Sequence, residues 1–189
     1  MKAVLPRTSF LDALHAAASL TGGRTTNPIL SCVKLATVDD SVEISATDGE
    51  AALRLRVPAL AVEQPGETVV SADRLLNIVR EMTDVEIQIE VDDRHFAIRG
   101  AGSSFRIFVK AVADFPPVPT VEGEPDLVVR GAELRSMIEL TLYAAARETS
   151  RYAINGVLWE KRGKKLFMVA TDGRRLARSG GTLEQAGAG

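Results

Sequence analysis

Internal repetition is the sequence feature that most constrains the fold of this chain. The tetrapeptide Ala-Thr-Asp-Gly occurs at residues 46–49 and again at residues 170–173, a shift of 124 residues (170 minus 46). The same shift carries the apolar stretch that opens at Thr8 onto the one that opens at Ala132, and both have the spacing of an amphipathic helix. Such a repeat predicts a chain built from copies of one supersecondary unit.

A second, fainter repeat lies inside the first copy, with a shift of 65 residues (69 minus 4). The apolar pair at residues 4 and 5 precedes a predicted helix over 8–20, and the pair at 69 and 70 precedes another over 72–82. Under this shift, Leu11 and Leu14 fall on Leu76 and Val79. The first copy therefore contains two units of its own.

Short segments with the alternating pattern of strands follow each predicted helix. We predict strands at 30–35, 42–46, 53–57, 85–91, 95–99, 105–109, 154–160, 165–170 and 174–178. Alternation of apolar and polar residues, in segments separated by polar turns, is typical of antiparallel strands with one solvated face. The predicted fold class is α+β. The repeated unit consists of a strand, a helix and three further strands, and it occurs over roughly 1–62, 66–110 and 126–186.

A proline-rich stretch over residues 113–125 is the predicted linker. We expect a first domain of two units at 1–118 and a second domain at 119–189 that contains one unit. A half domain would leave an apolar helix face and a strand edge uncovered. The sequence therefore leads us to expect a truncated gene product.

Composition excludes several functional classes. The net charge of −2 differs from the strongly basic character of a nucleic-acid coat, although it does not exclude a local basic face. The only cysteine is Cys32, and no apolar run approaches the roughly 20 residues that span a bilayer, so we expect a cytoplasmic protein. His15 and His95 lie far apart in the sequence, and we expect no metal and no cofactor.

Four segments resemble the bacterial sliding clamp, the β subunit of DNA polymerase III. They are TGGRTTNPIL at 21–30, ADFP at 113–116, RYAINGVL at 151–158 and VATDGRRLA at 169–177, and they occur in the family's order. The resemblance covers the whole chain. It implies the DNA clamp fold, with antiparallel sheets outside and helices lining one concave face, and a processivity factor of DNA replication whose ring encircles duplex DNA and tethers polymerase.

The resemblance also implies the partners of such a ring. They are duplex DNA without regard to sequence, the catalytic subunit of DNA polymerase III, the clamp loader, other proteins with a clamp-binding motif and, in the full-length form, a second subunit in a homodimer. A ring holds DNA by topology, so weak attraction to phosphates suffices and an acidic protein can slide. The protein would then be a non-catalytic subunit of the polymerase holoenzyme.

Five residues are DNA-binding candidates by this resemblance: Arg24, Arg80, Arg147, Arg151 and Tyr152. Arg24 follows two glycines, which let a backbone approach DNA, but a solvated loop arginine has the same appearance. The other arginines lie at or just beyond predicted helix ends, where cations also offset the helix dipole. Both interpretations stay open from the residues alone.

The second Ala-Thr-Asp-Gly segment is the candidate for binding partner proteins. Asp-Gly favours a tight turn, so a plain hairpin explains both copies. After the glycine, however, the first copy continues Glu-Ala-Ala and the second Arg-Arg-Leu. By resemblance, the second copy helps to form a pocket for a short peptide that contains Gln and Leu or Phe. Its residues would be Ile154, Thr171, Gly173, Arg174, Arg175 and Leu176.

A subunit interface is expected at a late strand of the first domain. Phe105 and Ile107 alternate there and could be ordinary core residues. The resemblance instead assigns them to the interface, together with Arg74 and Ile78 on the nearby helix. An edge strand at this position would extend the sheet into the partner.

Two other functional classes compete with a clamp. One is a truncated, non-catalytic module that binds peptides or clamps without forming a ring. The other is a small hydrolase that uses the carboxylates of the Thr-Asp-Gly turns. Two matched turns argue against the hydrolase, because its chemistry would need only one of them.

Overall fold

The computed structural model describes residues 1–21, 27–120, 123–147 and 155–186. It divides into two compact units, Met1–Thr120 and Val121–Gly189. Arg24, Arg151, Tyr152 and Ile154 lie outside the described residues.

The first unit contains two helices and nine strands among its described residues. In chain order they are β1 (Lys2–Pro6), α1 (Arg7–Thr21), β2 (Cys32–Val38), β3 (Ser41–Thr47), β4 (Ala52–Pro58), β5 (Ala61–Gln64), β6 (Glu67–Ser71), α2 (Ala72–Glu81), β7 (Glu86–Val91), β8 (His95–Arg99) and β9 (Ser104–Phe108). Short 3-10 turns lie at Pro28–Ser31 and Val112–Asp114. Both predicted helices and the predicted strands of this unit are confirmed, whereas β5 was not predicted.

The two repeats inside this unit exchange their first strands. One antiparallel sheet has the order β4-β3-β2-β6, so β6 of the second repeat completes the sheet of the first repeat. The other has the order β5-β1-β7-β8-β9, so β1 of the first repeat completes the sheet of the second. Neither repeat can satisfy its strand edges alone, and the pair forms one folding domain.

A single hydrophobic core joins both repeats and both sheets. Phe10 and Leu14 of α1 are buried in it with Leu75 and Val79 of α2. α1 and α2 also lie against each other, each presenting its apolar stripe to the sheets. The expected stripes of the first two helices are therefore confirmed as core faces.

Arg7, the first residue of α1, ties the first repeat to the end of α2. Its Nε donates to the Val79 carbonyl at 2.9 Å, and its Nη2 donates to the Arg80 carbonyl at 2.7 Å. These carbonyls belong to the last turn of α2, where backbone acceptors lack helical partners and a cation is favourable. This side chain thus links the two repeats in addition to the paired strands and the shared core.

The second unit repeats the first half of the first unit. It contains β10 (Leu127–Val128), α3 (Gly131–Glu139), β11 (Leu158–Arg162), β12 (Lys165–Thr171), β13 (Leu176–Thr182) and β14 (Gln185–Ala186). The 124-residue shift carries the pair Lys34↔Ser45 onto Leu158↔Val169, and Ala3↔Val62 onto Leu127↔Ala186. The register is preserved residue by residue, which confirms the long repeat.

The helix of the second unit is shorter than its counterpart, and a buried threonine lies just beyond its last residue. The hydroxyl of Thr141 donates to the Met137 carbonyl at 2.7 Å, and its backbone N–H bonds to Ile138 instead. Such back-bonding competes with the regular helical ladder. The equivalent residue of the first unit is Ala17, and α1 continues to Thr21. The expected continuous stripe through Leu142 was therefore wrong, since Leu142 is exposed.

Equivalent positions are buried in the first unit and open in the second. Leu35 is 0% exposed, whereas its counterpart Trp159 is 46% exposed. Val33 is also fully buried, and its counterpart Val157 is half-buried. In the first unit these positions face the partner repeat, and the second unit has no such repeat among its described residues.

Replacing Phe10 by alanine is expected to destabilise the first unit strongly. The ring is fully buried at the junction of both sheets and helices, so its loss should lower the free energy of unfolding by about 3–5 kcal/mol. Urea denaturation followed by far-UV circular dichroism measures the change. The control, Val85→Ala at a position that is 83% exposed, should stay within about 0.5 kcal/mol. Equal effects of the two changes would contradict the assigned core.

Candidate functional site

The solvent-facing side of α1 and α2 carries charges of both signs. Its exposed charged side chains are Asp12, Asp73, Arg74, Arg80 and Glu81, so two arginines stand beside three carboxylates. Arg80 lies in the last turn of α2 and donates to the Asn77 side chain at 3.2 Å. It offsets the helix dipole and still presents its guanidinium to solvent. This surface can attract a phosphate locally without being strongly basic.

Of the other DNA-binding candidates, only Arg147 lies within the described residues. It is exposed and follows the short 3-10 turn at Leu142–Ala144. Arg80 belongs to the first unit and Arg147 to the second. The solvent exposure of Arg80 and Arg147 is compatible with both interpretations given above.

The two Thr-Asp-Gly segments form turns with the same hydrogen bonds. In the first turn, the Thr47 hydroxyl accepts from the Gly49 N–H at 3.0 Å and donates to the Ala51 carbonyl at 2.8 Å. In the second, the Thr171 hydroxyl accepts from Gly173 at 3.1 Å and donates to Arg175 at 2.7 Å. The repeated sequence thus stabilises a turn between two strands, as the hairpin interpretation predicts.

Both glycines are required by the backbone of these turns. Gly49 has a φ of 97° and Gly173 a φ of 83°, a region that side chains with a Cβ rarely adopt. The turns join β3 to β4 and β12 to β13 at equivalent positions. Residues 174–176 are therefore projected from a rigid hairpin rather than from a loose loop.

The aspartates of the two turns are held as carboxylates. Backbone N–H groups of Arg174 and Arg175 donate to Asp172 and hold the pKa of that carboxyl below its ordinary value. Asp48 accepts from Ala51 and Glu50, which lower its pKa in the same way. A carboxylate committed to its own turn is a poor general acid, which argues further against the hydrolase.

The residues after Gly173 form a surface with mixed character. Arg175 donates to Asp172 at 3.0 Å, and its guanidinium carbon lies 5.7 Å from the centre of the Tyr143 ring. This is the distance of a cation–π contact. Leu176 is 66% exposed at the start of β13. The hairpin thus presents an apolar side chain beside an arginine that is held in place on both sides.

A concave region of about 460 Å³ lies next to this hairpin in the second unit. Glu139, Leu142, Tyr143, Ala145, Ala146, Arg147 and Asn155 line it. Sequence reasoning assigned Leu142 to the core and missed Tyr143. The sequence signal nearest to them is Thr141, whose hydroxyl bonds back to the Met137 carbonyl just beyond the end of α3.

β9 is an edge strand in the described part of its sheet, and it carries exposed aromatic side chains. Phe105 is 38% and Phe108 69% exposed, whereas Ile107 is 4% exposed and belongs to the core. On α2, which contacts β9, Arg74 is exposed and Ile78 is half-buried. Of the four interface candidates, Ile107 thus has little side-chain surface to offer a partner.

The open edge of β9 offers regular backbone hydrogen-bonding groups. The Val109 N–H donates to the Arg94 carbonyl at 3.1 Å, which fixes the alternation of the β8–β9 ladder. Phe105 and Ile107 therefore bond inward to β8. The backbone groups that face the open edge belong to Ser104, Arg106 and Phe108.

The described residues contain neither a cluster of metal-ligating side chains nor a helix that could span a membrane. Among them, no three or more His, Cys, Asp or Glu side chains are grouped so that they could hold a metal ion. No helix in the described ranges has the length and apolar character needed to cross a membrane.

Repeated strand-helix-three-strand units that exchange strands between antiparallel sheets define the class, which is the DNA clamp fold. Residues 1–119 match the model for the DNA polymerase III beta subunit, N-terminal domain, and residues 128–187 match the model for the central domain of the same subunit. The chain belongs to the DNA polymerase III beta subunit family.

Relatives and solved structures agree with this assignment. The chain is 32% identical over 178 residues to the beta sliding clamp of Escherichia coli strain K12, covering 94% of this chain and 49% of the relative. It is 33% identical to that of Pseudomonas aeruginosa, of which it covers 48%. The chain therefore spans about half the length of the curated relatives it matches.

The fold similarity extends over the whole chain. A crystal structure of a Pseudomonas aeruginosa sliding clamp bound to griselimycin matches with a TM-score of 0.90 and 30% identity, covering all of this chain and 52% of that one. The polymerase III beta subunit of Caulobacter crescentus matches with a TM-score of 0.83 and 32% identity, covering all of this chain and 52% of that one. The expected family and fold are confirmed.

The turn carboxylates are expected to stabilise the protein in a pH-dependent manner. Their pKa values are lower in the folded state, so their contribution is complete above the ordinary value of 3.8 and is lost as the pH falls through the lowered folded value. The wild-type chain should therefore have a higher urea midpoint than Asp48→Asn or Asp172→Asn at neutral pH, and the difference should shrink in acid. Urea titrations across this pH range test it, and a difference that grows in acid would contradict it.

Proposed function

We propose that this chain forms part of a ring-shaped processivity factor that encircles duplex DNA and tethers the replicative polymerase. The observation that carries the proposal is the clamp unit itself, which occurs three times in a chain of the beta subunit family, with preserved register between the first and third copies. Residues 1–118 make the first clamp domain, and 119–189 belong to the second. The protein is a non-catalytic, cytoplasmic subunit of the polymerase holoenzyme.

Weak contact with phosphates is the form of DNA binding that such a ring needs. We assign it to Arg24, Arg80, Arg147, Arg151 and Tyr152. The solvent exposure of Arg80 and Arg147 supports this assignment. A ring that slides must not hold DNA tightly, so a few such contacts suffice. Contacts to phosphates would also be independent of the base sequence.

Removing the Arg80 guanidinium is expected to weaken the binding of duplex DNA equally for different sequences. Loss of one phosphate contact should reduce the slope of log K against log salt concentration by about 1. Fluorescence anisotropy with two unrelated duplexes over a salt series measures this for Arg80→Ala. The matched control is Arg56→Ala, an exposed arginine on β4 that pairs with Glu43. If Arg56→Ala lowers the slope as much, Arg80 is not a specific DNA contact.

The Thr171–Leu176 hairpin is the proposed dock for partner peptides. Arg174, Arg175 and Leu176 extend from its turn, and Ile154 and Gly173 complete the set that we assign. Leu176 supplies an exposed apolar anchor, while Tyr143 and Asp172 hold the Arg175 side chain in position. The partners are the polymerase catalytic subunit, the clamp loader and other proteins that carry a short peptide with Gln and Leu or Phe.

The change Leu176→Glu is expected to raise the dissociation constant of such a labelled peptide at least about tenfold, because an apolar anchor is lost. Ala52→Glu is the matched control, since Ala52 occupies the equivalent exposed position of the first repeat (176 minus 124). Anisotropy titration compares both variants with the wild-type chain. Equal weakening by the two changes would show that the peptide does not distinguish the repeats.

The edge of β9 is the proposed subunit interface of the ring, with a second subunit as the partner in the full-length homodimer. Phe105, Arg74 and Ile78 would contribute side chains, and Ile107 would fix the strand from within the core. The unpaired backbone groups of this edge support sheet continuation into a partner. A head-to-tail contact of this kind closes a ring.

A topological experiment separates the ring from a peptide-binding module that forms none. A protein that contains this sequence within a closed ring should remain on circular plasmid DNA through gel filtration and leave it after the plasmid is cut. A module without a ring should elute apart from DNA in both cases while still binding the peptide. Equal retention on circular and linear DNA would contradict topological linkage.

A further inference from the structure

The hairpin that joins β11 to β12 contains the densest positive charge in the sequence. Residues 161–165 read Lys-Arg-Gly-Lys-Lys, four cations in five positions of a chain whose net charge is −2. The rest of the chain therefore carries a net charge of −6 (−2 minus 4). We refer to Arg162, Lys164 and Lys165, all of them exposed, as the basic tip. None of them belongs to the DNA-binding, peptide-binding or interface residues assigned above.

The backbone of the basic tip is held in a defined position. Arg162 and Lys165 form the last pair of the β11–β12 ladder, and Gly163 between them has a φ of 58°, which glycine adopts without strain. The Leu183 N–H donates to the Lys164 carbonyl at 2.9 Å. Because Leu183 is buried in the core of the second unit, this bond ties the tip to that core.

The equivalent turn of the first unit shows that a tip at this position is exposed even when two repeats are packed together. The 124-residue shift carries the pair Val38↔Ser41 onto Arg162↔Lys165. Asp39, which has a φ of 51°, and its neighbour at residue 40 are both exposed, although the first unit contains two repeats with a shared core. The two turns therefore have the same register and exposure but opposite charge.

The basic tip contains a like-charge pair that the first unit avoids. Arg162 and Lys165 stand directly opposite each other in the ladder, where like charges destabilise a hairpin. The equivalent residues of the first unit, Val38 and Ser41, are uncharged. Arg162 donates to Glu160 at 2.7 Å, which offsets only part of the repulsion, because the structure gives Lys165 no ion-pair partner among the described residues. A bound anion would remove the rest.

The basic tip is separate from the sites already assigned. Strand side chains alternate between the two faces, and Leu166 and Met168 of β12 are buried with Met137 of α3, so Lys165 lies on the face that points away from α3. The peptide-binding hairpin begins at the other end of β12, six residues along the strand (171 minus 165) and roughly 20 Å away at about 3.3 Å per residue.

We propose that the basic tip is an additional site for the phosphate backbone of nucleic acid, on the sheet face opposite α3. Clusters of lysine and arginine attract phosphates through counterion release and do not read the base sequence. The inference rests on the proposed function only for the choice of nucleic acid as the polyanion. It requires neither a closed ring nor a contact with the helices.

A phosphate backbone fits the basic tip better than an acidic segment of a protein does. Protein interfaces are centred on apolar or aromatic anchors and are depleted in lysine. No apolar side chain occurs between Arg162 and Lys165. The nearest aromatic ring, that of Phe167, is half-buried and has the guanidinium carbon of Arg178 at 4.1 Å from its centre. Charge is thus the feature that the tip offers a ligand.

Anisotropy titration of the 189-residue chain with labelled duplex DNA over a salt series is the first test. Lys164→Ala combined with Lys165→Ala should raise the dissociation constant at least about tenfold and reduce the slope of log K against log salt concentration by about 2, since two phosphate contacts are lost. Arg56→Ala combined with Arg94→Ala removes two exposed cations of the first unit and should change neither quantity. Equal losses in both double variants, or an unchanged slope in the lysine variant, overturn the proposal.

A transplant of the charge to the first unit tests whether the turn itself presents it correctly. Asp40→Lys combined with Ser41→Lys places two lysines on the equivalent turn, so DNA affinity should rise at least about fivefold and the slope should steepen by about 2. Thr83→Lys combined with Asp93→Lys adds the same charge at exposed positions near the two ends of β7. No gain from the transplant, or an equal gain from the dispersed control, contradicts a site built by clustering.

The stability of the hairpin gives an independent readout. Lys165→Ser introduces the residue type of the equivalent Ser41 and removes the like-charge pair. Without DNA, the urea midpoint of this variant should rise, whereas its affinity for DNA should fall. A merely structural lysine would show the opposite change in stability, so a lowered midpoint argues against the proposed role.

Other polyanions separate nucleic acid from the competing ligands. Phosphatidylcholine vesicles that contain phosphatidylserine present lipid phosphates, and polyglutamate presents protein-like carboxylates. The wild-type chain should bind DNA more tightly than either, and the lysine double variant should lose this preference. Binding to the vesicles or to polyglutamate that is as tight as binding to DNA overturns the assignment to nucleic acid.

Arg80→Ala distinguishes failure of this inference from failure of the proposed function. The two sites share no residue, so their effects on the salt dependence should add. If the lysine variant lowers the slope and Arg80→Ala does not, the basic tip stands and the helix contact fails. If only Arg80→Ala lowers it, the basic tip is not a nucleic-acid site.

Discussion

The exchange of first strands is the interaction on which the rest of the structure depends. β1 and β6 leave their own repeats and complete each other's sheets, so backbone hydrogen bonds hold the two halves of the first unit together. The core can then be shared by both helices and both sheets, and Arg7 fixes the junction by binding the end of α2. A unit of about sixty residues has little core of its own, and pairing two units removes that limit.

The Thr-Asp-Gly turn illustrates how a repeated element acquires a local difference. Hydroxyl, carboxylate and glycine build the same turn at residues 47–49 and 171–173, with hydrogen bonds that agree within a few tenths of an ångström. The turn binds the backbone of the next residues, so their side chains can differ between the two copies. In the second copy, they place Arg175 against Tyr143 and leave Leu176 exposed. A rigid turn therefore carries the side chains that we assign to partner recognition.

Much of this was predictable from the sequence because periodicity reports directly which faces are buried. The three helices, the antiparallel strands and both repeat shifts were identified in this way. β5 was missed because its backbone pairs with β1 while most of its side chains are exposed, so no alternation marks it. The exposure of Leu142 and Tyr143 was missed because α3 ends at Glu139, before the predicted helical stripe does, and the burial of Ile107 depends on how β9 meets the core.

By itself, the sequence determined the repeated unit, the α+β class and the family, since these rest on local pattern and on motifs that survive without coordinates. Only the tertiary structure decided which strand completes which sheet, because β-strand edges are satisfied by residues far apart in the chain. It also decided that Trp159 is exposed although the equivalent Leu35 is buried. The burial of a residue depends on the residues packed around it, and equivalent positions of a repeat can have different neighbours.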